Sequence, residues 1–271
     1  MLYHANPILR ILYSIPVLVV FLLCFLLLFL YHYLCLSIYN PSYPIFLTVH
    51  LCFILILWSF TMSFITDPGS IPDNYFIPES EKLISMHINS SKKIGNGRYC
   101  VKCRRIRPLR THHCSVCGRC ILRMDHHCPW IGNCVGIYNH RYFVQFLLYS
   151  ALDCNILTGS FARVILDYPE KTTWLYYTVM IVTMGIGIFV LIMGLSQLWA
   201  LMMNFTMLEI HNLIEESVFD IGWKENIFQS CGRRYIPFLL PLVSNNMDGT
   251  SFPVSKRIKI GRVGIKEDIE M

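Results

Sequence analysis

Charged side chains are scarce in this chain of 271 residues. Asp, Glu, Lys and Arg make up 15% of the sequence, whereas soluble globular proteins average about 25%. Hydrophobic residues account for 54%, and the mean hydropathy is +0.47. This shortage of charge argues against a soluble globular protein and favours a membrane protein. The chain also lacks a glycine-rich phosphate loop, so it offers no sign of an ATP site of that type.

The shortage is greatest in four long apolar runs. Three of them contain no Asp, Glu, Lys or Arg, and these cover residues 11–39, 44–66 and 174–206. The fourth, residues 142–166, has Asp153 and Arg163 as its only charged residues. Each run reaches the ~20 residues that a helix needs to cross about 30 Å of hydrocarbon. The sequence therefore predicts four transmembrane helices, near residues 11–36, 44–66, 143–166 and 175–203.

The basic residues predict how these helices are oriented. Residues 67–141 hold 12 of the 23 Lys and Arg residues against 5 acidic ones, and the tail after Met203 holds 8 more. The loop at residues 37–43 has no Lys or Arg, and the loop at residues 167–173 has only Lys171. Because Lys and Arg concentrate on the cytoplasmic side of a membrane, we expect both termini and the middle loop to be cytosolic.

This arrangement divides the chain into four parts. Helices 1 and 2 occupy residues 1–66, and helices 3 and 4 occupy 142–203. Between them lies a cytosolic cysteine-rich domain, residues 67–141. The remainder, 204–271, is predicted to be a cytosolic tail. Residues 219–242 of this tail mix aromatic and basic side chains, and they are expected either to lie in the membrane interface or to pack on the cysteine-rich domain.

The cysteines of the middle loop point to metal or to catalysis. The chain has 12 cysteines, and seven of them fall within 35 residues. In a reducing cytosol such a cluster indicates metal binding or catalysis rather than disulfides. Three pairs have the C-x2-C spacing of zinc knuckles, which lets two thiolates of a tight turn reach one ion. The seven are Cys100, Cys103, Cys114, Cys117, Cys120, Cys128 and Cys134.

Counting ligands leaves one cysteine over. A structural zinc takes four ligands, so two ions need eight. Six cysteines and two histidines satisfy this number, and the histidines available are His112, His113, His126, His127 and His140. The spare cysteine can then be Cys128, which follows Asp125 and two histidines, or Cys134. The count does not decide between them.

At this point the sequence resembles the DHHC family of protein S-acyltransferases. The pattern C-x2-C-x9-H-C-x2-C-x2-C-x4-D-H-H-C-x5-C-x4-N-x3-F is matched at every position from Cys100 to Phe143. Three flanking motifs are also similar: "DPG" at 67–69, "TMLE" at 206–209 and "FDIGWKENIFQSCG" at 219–232. One departure is Met207, where the family usually has a threonine that is expected to help dock the tail on the cysteine-rich domain. The departure puts that contact in doubt.

The resemblance implies a fold and a set of metal ligands. The fold is an all-α polytopic membrane protein with four transmembrane helices, and a small zinc-stapled cytosolic cysteine-rich domain lies between helices 2 and 3. Two structural Zn²⁺ ions are implied. Carried over by position, the ligands of one would be Cys100, Cys103, His113 and Cys120, and those of the other Cys114, Cys117, His127 and Cys134.

The resemblance also implies a reaction. Cys128 would be the nucleophile, His126 its base and Asp125 the group that orients His126. A free cysteine with a pKa of about 8.5 is only slightly ionised at neutral pH, so a base that takes the proton of the thiol is chemically required. The expected reaction has two steps. Cys128 takes a palmitoyl or similar chain from acyl-CoA and then passes it to a cysteine of a substrate protein.

Other residues are expected to contact the acyl-CoA. Arg107, Arg110 and His112 match family positions that face CoA, although attraction to anionic lipid headgroups explains Arg107 and His112 equally well. Trp130 is expected near the mouth of an acyl cavity. Asp153, near the middle of the third span, either shortens that cavity or forms a hydrogen bond with a Ser, Thr or Tyr of a neighbouring helix, and the second reading is the favoured one.

The expected partners are the lipid bilayer and membrane-associated proteins with cysteines close to the membrane. No nucleic acid is expected, and an accessory subunit is compatible with the sequence. The family implies a multi-pass protein of the Golgi or the endoplasmic reticulum. The alternative function is a non-catalytic zinc scaffold or adaptor in the membrane. Such a protein would use the same metal ligands but would have no need of an Asp-His pair beside a spare cysteine.

Overall fold

Four long helices form a bundle in a computed structural model, which describes residues 7–38, 41–78, 99–212, 217–231, 240 and 247–255. Two short helices follow in the tail, and a 3-10 turn, Pro169–Lys171, separates the third and fourth long helices. A π-helical turn, Tyr31–Leu36, extends the first helix. The helices are α1 (Pro7–Leu30), α2 (Tyr43–Ile65), α3 (His140–Asp167), α4 (Trp174–Met202), α5 (Met207–His211) and α6 (Trp223–Cys231).

Three of these helices are long and apolar enough to cross a membrane. The segments are Ser14–Leu36, Tyr43–Ile65 and Trp174–Met202. At 1.5 Å per residue, 23 residues extend about 34 Å, which exceeds the hydrocarbon thickness. Leu18, Leu22 and Phe29 are each more than half exposed on α1, as expected of a lipid-facing surface. The boundaries agree with the prediction to within a few residues.

The long helices pack around a core on the side of the bundle away from the cysteine-rich domain. α3 lies between α2 and α4 and contacts both over much of its length. Leu157, Phe161 and Val164 of α3 are buried against Tyr31 at the end of α1 and Val49 of α2. α3 itself is 28 residues long. It is the central helix of the bundle even though its sequence is the least apolar of the four.

The described part of the cysteine-rich domain contains three short antiparallel hairpins. The sequence predicts the metal ligands of this domain but not its strands. The pairs are β1 (Tyr99–Cys100) with β2 (Arg105–Ile106), β3 (His112–Cys114) with β4 (Arg119–Ile121), and β5 (His126–Cys128) with β6 (Asn133–Val135). Two-stranded hairpins are marginally stable alone, so this domain needs further cross-links.

The "DPG" motif connects α2 to the hairpins. Asp67 accepts a hydrogen bond from the Gly69 N–H at 2.8 Å and one from Arg119 at 2.9 Å. The backbone of the motif then pairs with the domain, because Leu122 N–H donates to the Gly69 carbonyl and Tyr138 N–H donates to the Pro68 carbonyl. The motif therefore holds the domain against the end of α2.

Two asparagines strengthen this junction. The Asn133 amide donates to the carbonyls of Phe64 and Thr66 at 3.1 and 3.0 Å. Asn139, fully buried, donates to the carbonyls of Ser63 and Cys134. The bonds to Ser63, Phe64 and Thr66 satisfy carbonyls at the C-terminal end of α2, which have no partner within the helix.

The tail returns to the end of the bundle that carries the hairpin domain. α6 packs against α3 and α4, and Asn226 donates to the Met202 carbonyl at 2.7 Å. Trp223 at the start of α6 is about half exposed, which is consistent with an interfacial position. The rest of the predicted interfacial segment, apart from residue 240, and most of the tail beyond it lie outside the described residues.

Gly136 offers a test of the junction. A Cβ at this position would lie 2.5 Å from the Pro68 carbonyl oxygen and 2.9 Å from the Ile121 side chain. Because a backbone oxygen cannot move aside cheaply, we expect Gly136→Ala to destabilise the protein by at least the ~1–3 kcal/mol typical of overpacking. Thermal unfolding in detergent measures this change.

Gly159→Ala is the matched control. A Cβ at Gly159 meets no atom within 4 Å, so this variant should unfold at or above the temperature of the wild type. Equal losses of stability in both variants would contradict the close contact with Pro68.

Candidate active site and metal clusters

Two sets of cysteine and histidine side chains converge in the hairpin domain. Each set has four ligand atoms that lie within 4.8 Å of one another. In the first set the three sulfurs lie 3.2–4.0 Å from His113 Nδ1, and in the second they lie 3.5–3.7 Å from His127 Nδ1. A tetrahedral zinc with bonds of 2.3 Å to sulfur and 2.0–2.1 Å to nitrogen places sulfur and nitrogen about 3.6 Å apart. Both sets therefore have the chemistry and the spacing for a metal ion: Cys100, Cys103, His113 and Cys120 in one, and Cys114, Cys117, His127 and Cys134 in the other.

The hairpins explain why the two sets interleave along the sequence. Successive side chains of a strand point to opposite faces. His113 and Cys114 are neighbours on β3, so the first turns to one cluster and the second to the other. His113 lies directly opposite Cys120 in the β3–β4 pair. The β3–β4 hairpin thus brings His113 and Cys120 of the first cluster together, and it contributes Cys114 to the second cluster.

The same alternation places the two adjacent histidines of β5 on opposite faces of the strand. His127 lies opposite Cys134 in the β5–β6 pair, and both belong to the second cluster. His126 and Cys128 therefore share the other face of the strand. Of the two cysteines that the ligand count left open, Cys134 joins the metal cluster, and Cys128 belongs to neither set.

Asp125 and His126 form a close pair beside Cys128. His126 Nδ1 donates to Asp125 Oδ2 at 2.7 Å, and the Asp125 side chain is fully buried. The Asp125 pair uses only one ring nitrogen of His126, and Cys128 lies on the same face of the strand as this ring. Burial alone would lower the pKa of His126, but the hydrogen bond with Asp125 and the negative charges of Asp125 and Cys128 outweigh it and raise this pKa to about 9. The histidine is therefore a stronger base than free imidazole.

A chain of buried polar groups holds Asp125 in place. The Met207 N–H donates to Asp125 Oδ1 at 2.8 Å. Gln197 donates to Asp125 Oδ2 at 3.4 Å and accepts from His140 Nε2 at 2.8 Å. His140 in turn accepts from Arg123 at 3.1 Å. Asp125, Gln197, His140 and Arg123 are all buried. The carboxylate therefore has fixed partners on α4, on α5 and in the hairpin domain.

Apolar side chains from all four long helices meet on the far side of Cys128. The thiol is 7% exposed and lies in one cluster with Val17 of α1, Phe60 of α2, Phe143 of α3 and Val190 of α4. Polar and metal-binding groups lie on one side of Cys128 and hydrocarbon on the other. This arrangement suits a nucleophile that handles a lipid chain.

The comparisons with known proteins agree with this geometry. A model of the DHHC palmitoyltransferase domain matches residues 93–214. The probable protein S-acyltransferase 12 of Arabidopsis thaliana is 32% identical over 230 residues, which cover 77% of this chain and 79% of that protein. The chain belongs to the DHHC palmitoyltransferase family. Palmitoyltransferase ZDHHC15A of Danio rerio is 30% identical over 239 residues (76% of this chain, 72% of that protein). Palmitoyltransferase ZDHHC20 of Homo sapiens is 30% identical over 241 residues (75% and 64%).

Met207, the departure from the family pattern, keeps a contact with the cysteine-rich domain. That contact is made by its backbone N–H to Asp125, so it does not depend on the side chain, which is 37% exposed. Thr206 caps α5, since its hydroxyl accepts from the Glu209 N–H and its own N–H donates to the Glu209 carboxylate. The tail of this palmitoyltransferase therefore docks without the usual threonine.

Arg110 does not occupy the position expected of a CoA-binding residue. It is 7% exposed and forms a two-pronged ion pair with Glu209 at 2.7 and 2.8 Å. It also donates to the side chain and the carbonyl of Asn204, and it stacks on Phe219 and Phe252. With its donors directed at protein acceptors, Arg110 joins the hairpin domain to the tail. We correct its role from ligand contact to structural contact.

Asn204 is the centre of this polar node. Its side-chain oxygen accepts from both Arg110 and Arg123, at 2.8 and 3.4 Å. All three residues have positive φ, at 53°, 63° and 42°, a conformation that costs about 1–2 kcal/mol in residues other than glycine. The buried charge pair and its hydrogen bonds must offset this strain.

The remaining residues predicted to contact acyl-CoA lie in different surroundings. His112 is half-buried, and burial together with the positive charge of Arg107 lowers its pKa. Trp130, two residues after Cys128, is 56% exposed. Asp153 is 8% exposed on α3, and among the described residues its Oδ1 atom has no hydrogen-bond partner. The hydroxyl partner favoured from the sequence is therefore not found for this oxygen.

Several residues of the site were not singled out from the sequence. Arg123, Gln197 and Asn204 have no ligand-like spacing, and His140 stood only among possible zinc ligands. The sequence signal that these residues share is a strongly polar side chain inside an apolar or cysteine-rich segment. Such a residue is buried only with a partner, but the partner is distant in sequence.

The Arg110–Glu209 pair offers a second test. Glu209→Ala leaves the buried Arg110 guanidinium without its counter-ion, which typically costs about 3–5 kcal/mol. We expect the tail after Asn204 to become sensitive to protease and the unfolding temperature to fall. Glu225→Ala, at an exposed site on α6, should change neither.

A double variant separates charge burial from loss of packing. Arg110→Met with Glu209→Leu removes both charges and keeps apolar volume, so it should recover part of the stability lost in Glu209→Ala. A double variant less stable than the single one would contradict the account based on an unpaired charge.

Proposed function

We propose that Cys128 is the acyl-carrying nucleophile of this palmitoyltransferase, with His126 as its general base and Asp125 as the residue that orients His126. One observation carries the proposal. Cys128 is the cysteine of the hairpin domain that stands outside both metal sets, and it lies on the same strand face as His126.

In the first step, His126 accepts the thiol proton of Cys128. The thiolate attacks the thioester carbonyl of an acyl-CoA, and a new carbon–sulfur bond forms as the bond to the CoA sulfur breaks. The proton held by His126 passes to the departing CoA sulfur. Asp125 keeps Nδ1 of His126 protonated and so leaves Nε2 to exchange the proton.

In the second step, the thiol of a substrate cysteine takes the place of CoA. It gives its proton to His126 and attacks the acyl group on Cys128, and the Cys128 sulfur leaves and is reprotonated. One thioester replaces another in each step, so the exchange is close to thermoneutral and needs no ATP. The reaction is of the ping-pong type.

The metal ions in this proposal are structural zinc. The two Cys/His sets would hold them, and bound zinc would supply cross-links between hairpins that are too short to be stable alone. Neither set offers an open position for water or substrate, since each provides four protein ligands. The chemistry is carried out by Asp125, His126 and Cys128.

The acyl chain would lie among the helices. The apolar cluster around Cys128 draws on all four of them, which supports α3 as a fourth transmembrane span, as the sequence predicts. Asp153 lies on α3 about ten residues beyond Phe143, or roughly 15 Å deeper along the helix. A carboxylate there would limit how far an apolar chain can extend. Arg107 and His112 remain proposed contacts of the CoA phosphates.

The proposal also includes the orientation of the chain in the membrane. It keeps the division of the chain into four parts, which end at residues 66, 141, 203 and 271. The hairpin domain and the ends of α2, α3 and α4 that contact it would face the cytosol, because the basic residues concentrate there. Substrates would be membrane-associated proteins whose cysteines reach this surface. The Golgi or the endoplasmic reticulum is the proposed location, with or without an accessory subunit.

The nucleophile can be tested by acyl labelling of the purified protein with a palmitoyl-CoA analogue. Wild type should take up a label that hydroxylamine removes, because the bond is a thioester. Cys128→Ser should lose the label and keep two zinc ions per chain. His126→Gln should slow labelling by about 10²–10⁴-fold, the usual contribution of a general base.

Cys103→Ser provides the contrasting variant, since it removes a ligand of the first metal set and should lower the zinc content. If Cys128→Ser loses zinc in the same way, Cys128 is a metal ligand. In that case the non-catalytic zinc scaffold becomes the better description of the chain.

The role of Asp153 can be tested with a series of acyl-CoA substrates of different length. We expect Asp153→Leu to shift the preference towards longer chains, because a polar end to the acyl site is removed. Asp153→Asn keeps a polar group of similar size and should retain the wild-type profile. An unchanged profile in the leucine variant would exclude Asp153 as a determinant of chain length.

A further inference from the structure

Two histidines face each other at the end of the helix bundle remote from the hairpin domain. His32 lies in the π-helical turn that ends the first span, and His50 lies on α2, two turns after its start. Their Nε2 atoms are 3.2 Å apart, and the two rings are perpendicular, with centroids separated by 5.1 Å. Neither residue belongs to the active site or to the cysteine clusters.

The hydrogen bonds of these rings fix where their protons are. His32 Nδ1 lies 2.8 Å from the Leu28 carbonyl oxygen, and His50 Nδ1 lies 2.7 Å from the Phe46 carbonyl oxygen. A carbonyl can only accept, so both Nδ1 atoms must carry the hydrogen. A neutral imidazole has one N–H, and both Nε2 atoms are then left with lone pairs. Two lone pairs that point at each other across 3.2 Å repel unless a cation lies between them.

We propose that His32 and His50 together bind a divalent transition metal ion, such as Zn²⁺, through their Nε2 atoms. Zinc–nitrogen bonds of 2.0–2.1 Å at a tetrahedral angle place two nitrogens about 3.4 Å apart, close to the observed distance. Histidines that bind metal usually donate their other N–H to a carbonyl or carboxylate, and both rings do so.

The surroundings define the kind of site. No Asp, Glu, Lys or Arg occurs between residues 11 and 66, so this stretch of α1 and all of α2 provide no carboxylate ligand and no competing cation. His32 is exposed and lies four residues before the end of the span at Leu36, about 6 Å along the helix. Water at the membrane interface can complete the coordination. Phe46 packs on His50, with ring centroids 4.1 Å apart, and limits the rotation of that ring.

The local backbone supports a specialised role. A π-helical turn changes the direction in which side chains leave the helix, and such turns occur frequently at functional sites. Here the turn includes His32. A metal held between α1 and α2 would cross-link them at the end opposite the active site and stabilise the pairing of these spans.

Zinc binding to the full-length, tag-free protein in detergent tests the proposal. Both cysteine clusters are loaded first, and zinc content is measured after dialysis against buffered free Zn²⁺. Wild type should hold three ions per chain, whereas His32→Gln and His50→Gln should each hold two. Added Zn²⁺ should raise the unfolding temperature of wild type but not that of His32→Gln or His50→Gln, because a ligand stabilises only the state that binds it.

His211→Gln, at an exposed position after the last span, is the control and should behave as wild type. A two-ligand site needs both rings, so each single variant should lose the whole effect, and two partial losses that add up would contradict it. The proposal fails if wild type itself holds only two ions, a result that does not depend on whether the variants fold. The rings would then share a proton rather than a metal.

Discussion

The alternation of side chains along one three-residue strand is the constraint on which the active site depends. Because His127 turns towards a metal cluster, His126 and Cys128 must both turn the other way, towards Asp125 and the apolar ends of the helices. A hairpin of this length would not hold that alternation alone. The cysteine clusters on the neighbouring strands would therefore act on the proposed reaction indirectly, because they fix the face on which Cys128 lies.

The buried polar network extends this constraint to the tail. Asp125 accepts from the Met207 N–H, and two residues later Glu209 pairs with Arg110 of the hairpin domain. A short segment after α4 therefore both holds Asp125, the partner of His126, and fastens the domain that carries this pair. Charges in such a network stabilise the fold only when every member is partnered. The catalytic geometry and the docking of the tail are for this reason expected to be lost together.

What the sequence predicts well is local. The apolar runs give the long helices to within a few residues, and the cysteine spacing with the family pattern gives both metal sets. What it misses depends on contacts between distant positions. Arg110 looked like a phosphate contact because a basic residue in a basic loop usually faces outward, and its partner Glu209 is 99 residues away. The hairpins were missed because strands of two or three residues leave no periodic signal.

The position of Cys128 also limits what can react with it. The thiol lies where the hairpins meet the helix ends, with the apolar cluster on one side and Trp130 exposed on the other. An acyl chain can enter the cluster while the charged CoA headgroup stays in water, because burial of its phosphates among apolar side chains would be prohibitive. A substrate cysteine must then approach from the same wet side, close to the membrane plane. Membrane-associated proteins thus follow as substrates from the geometry of the site as well as from the family.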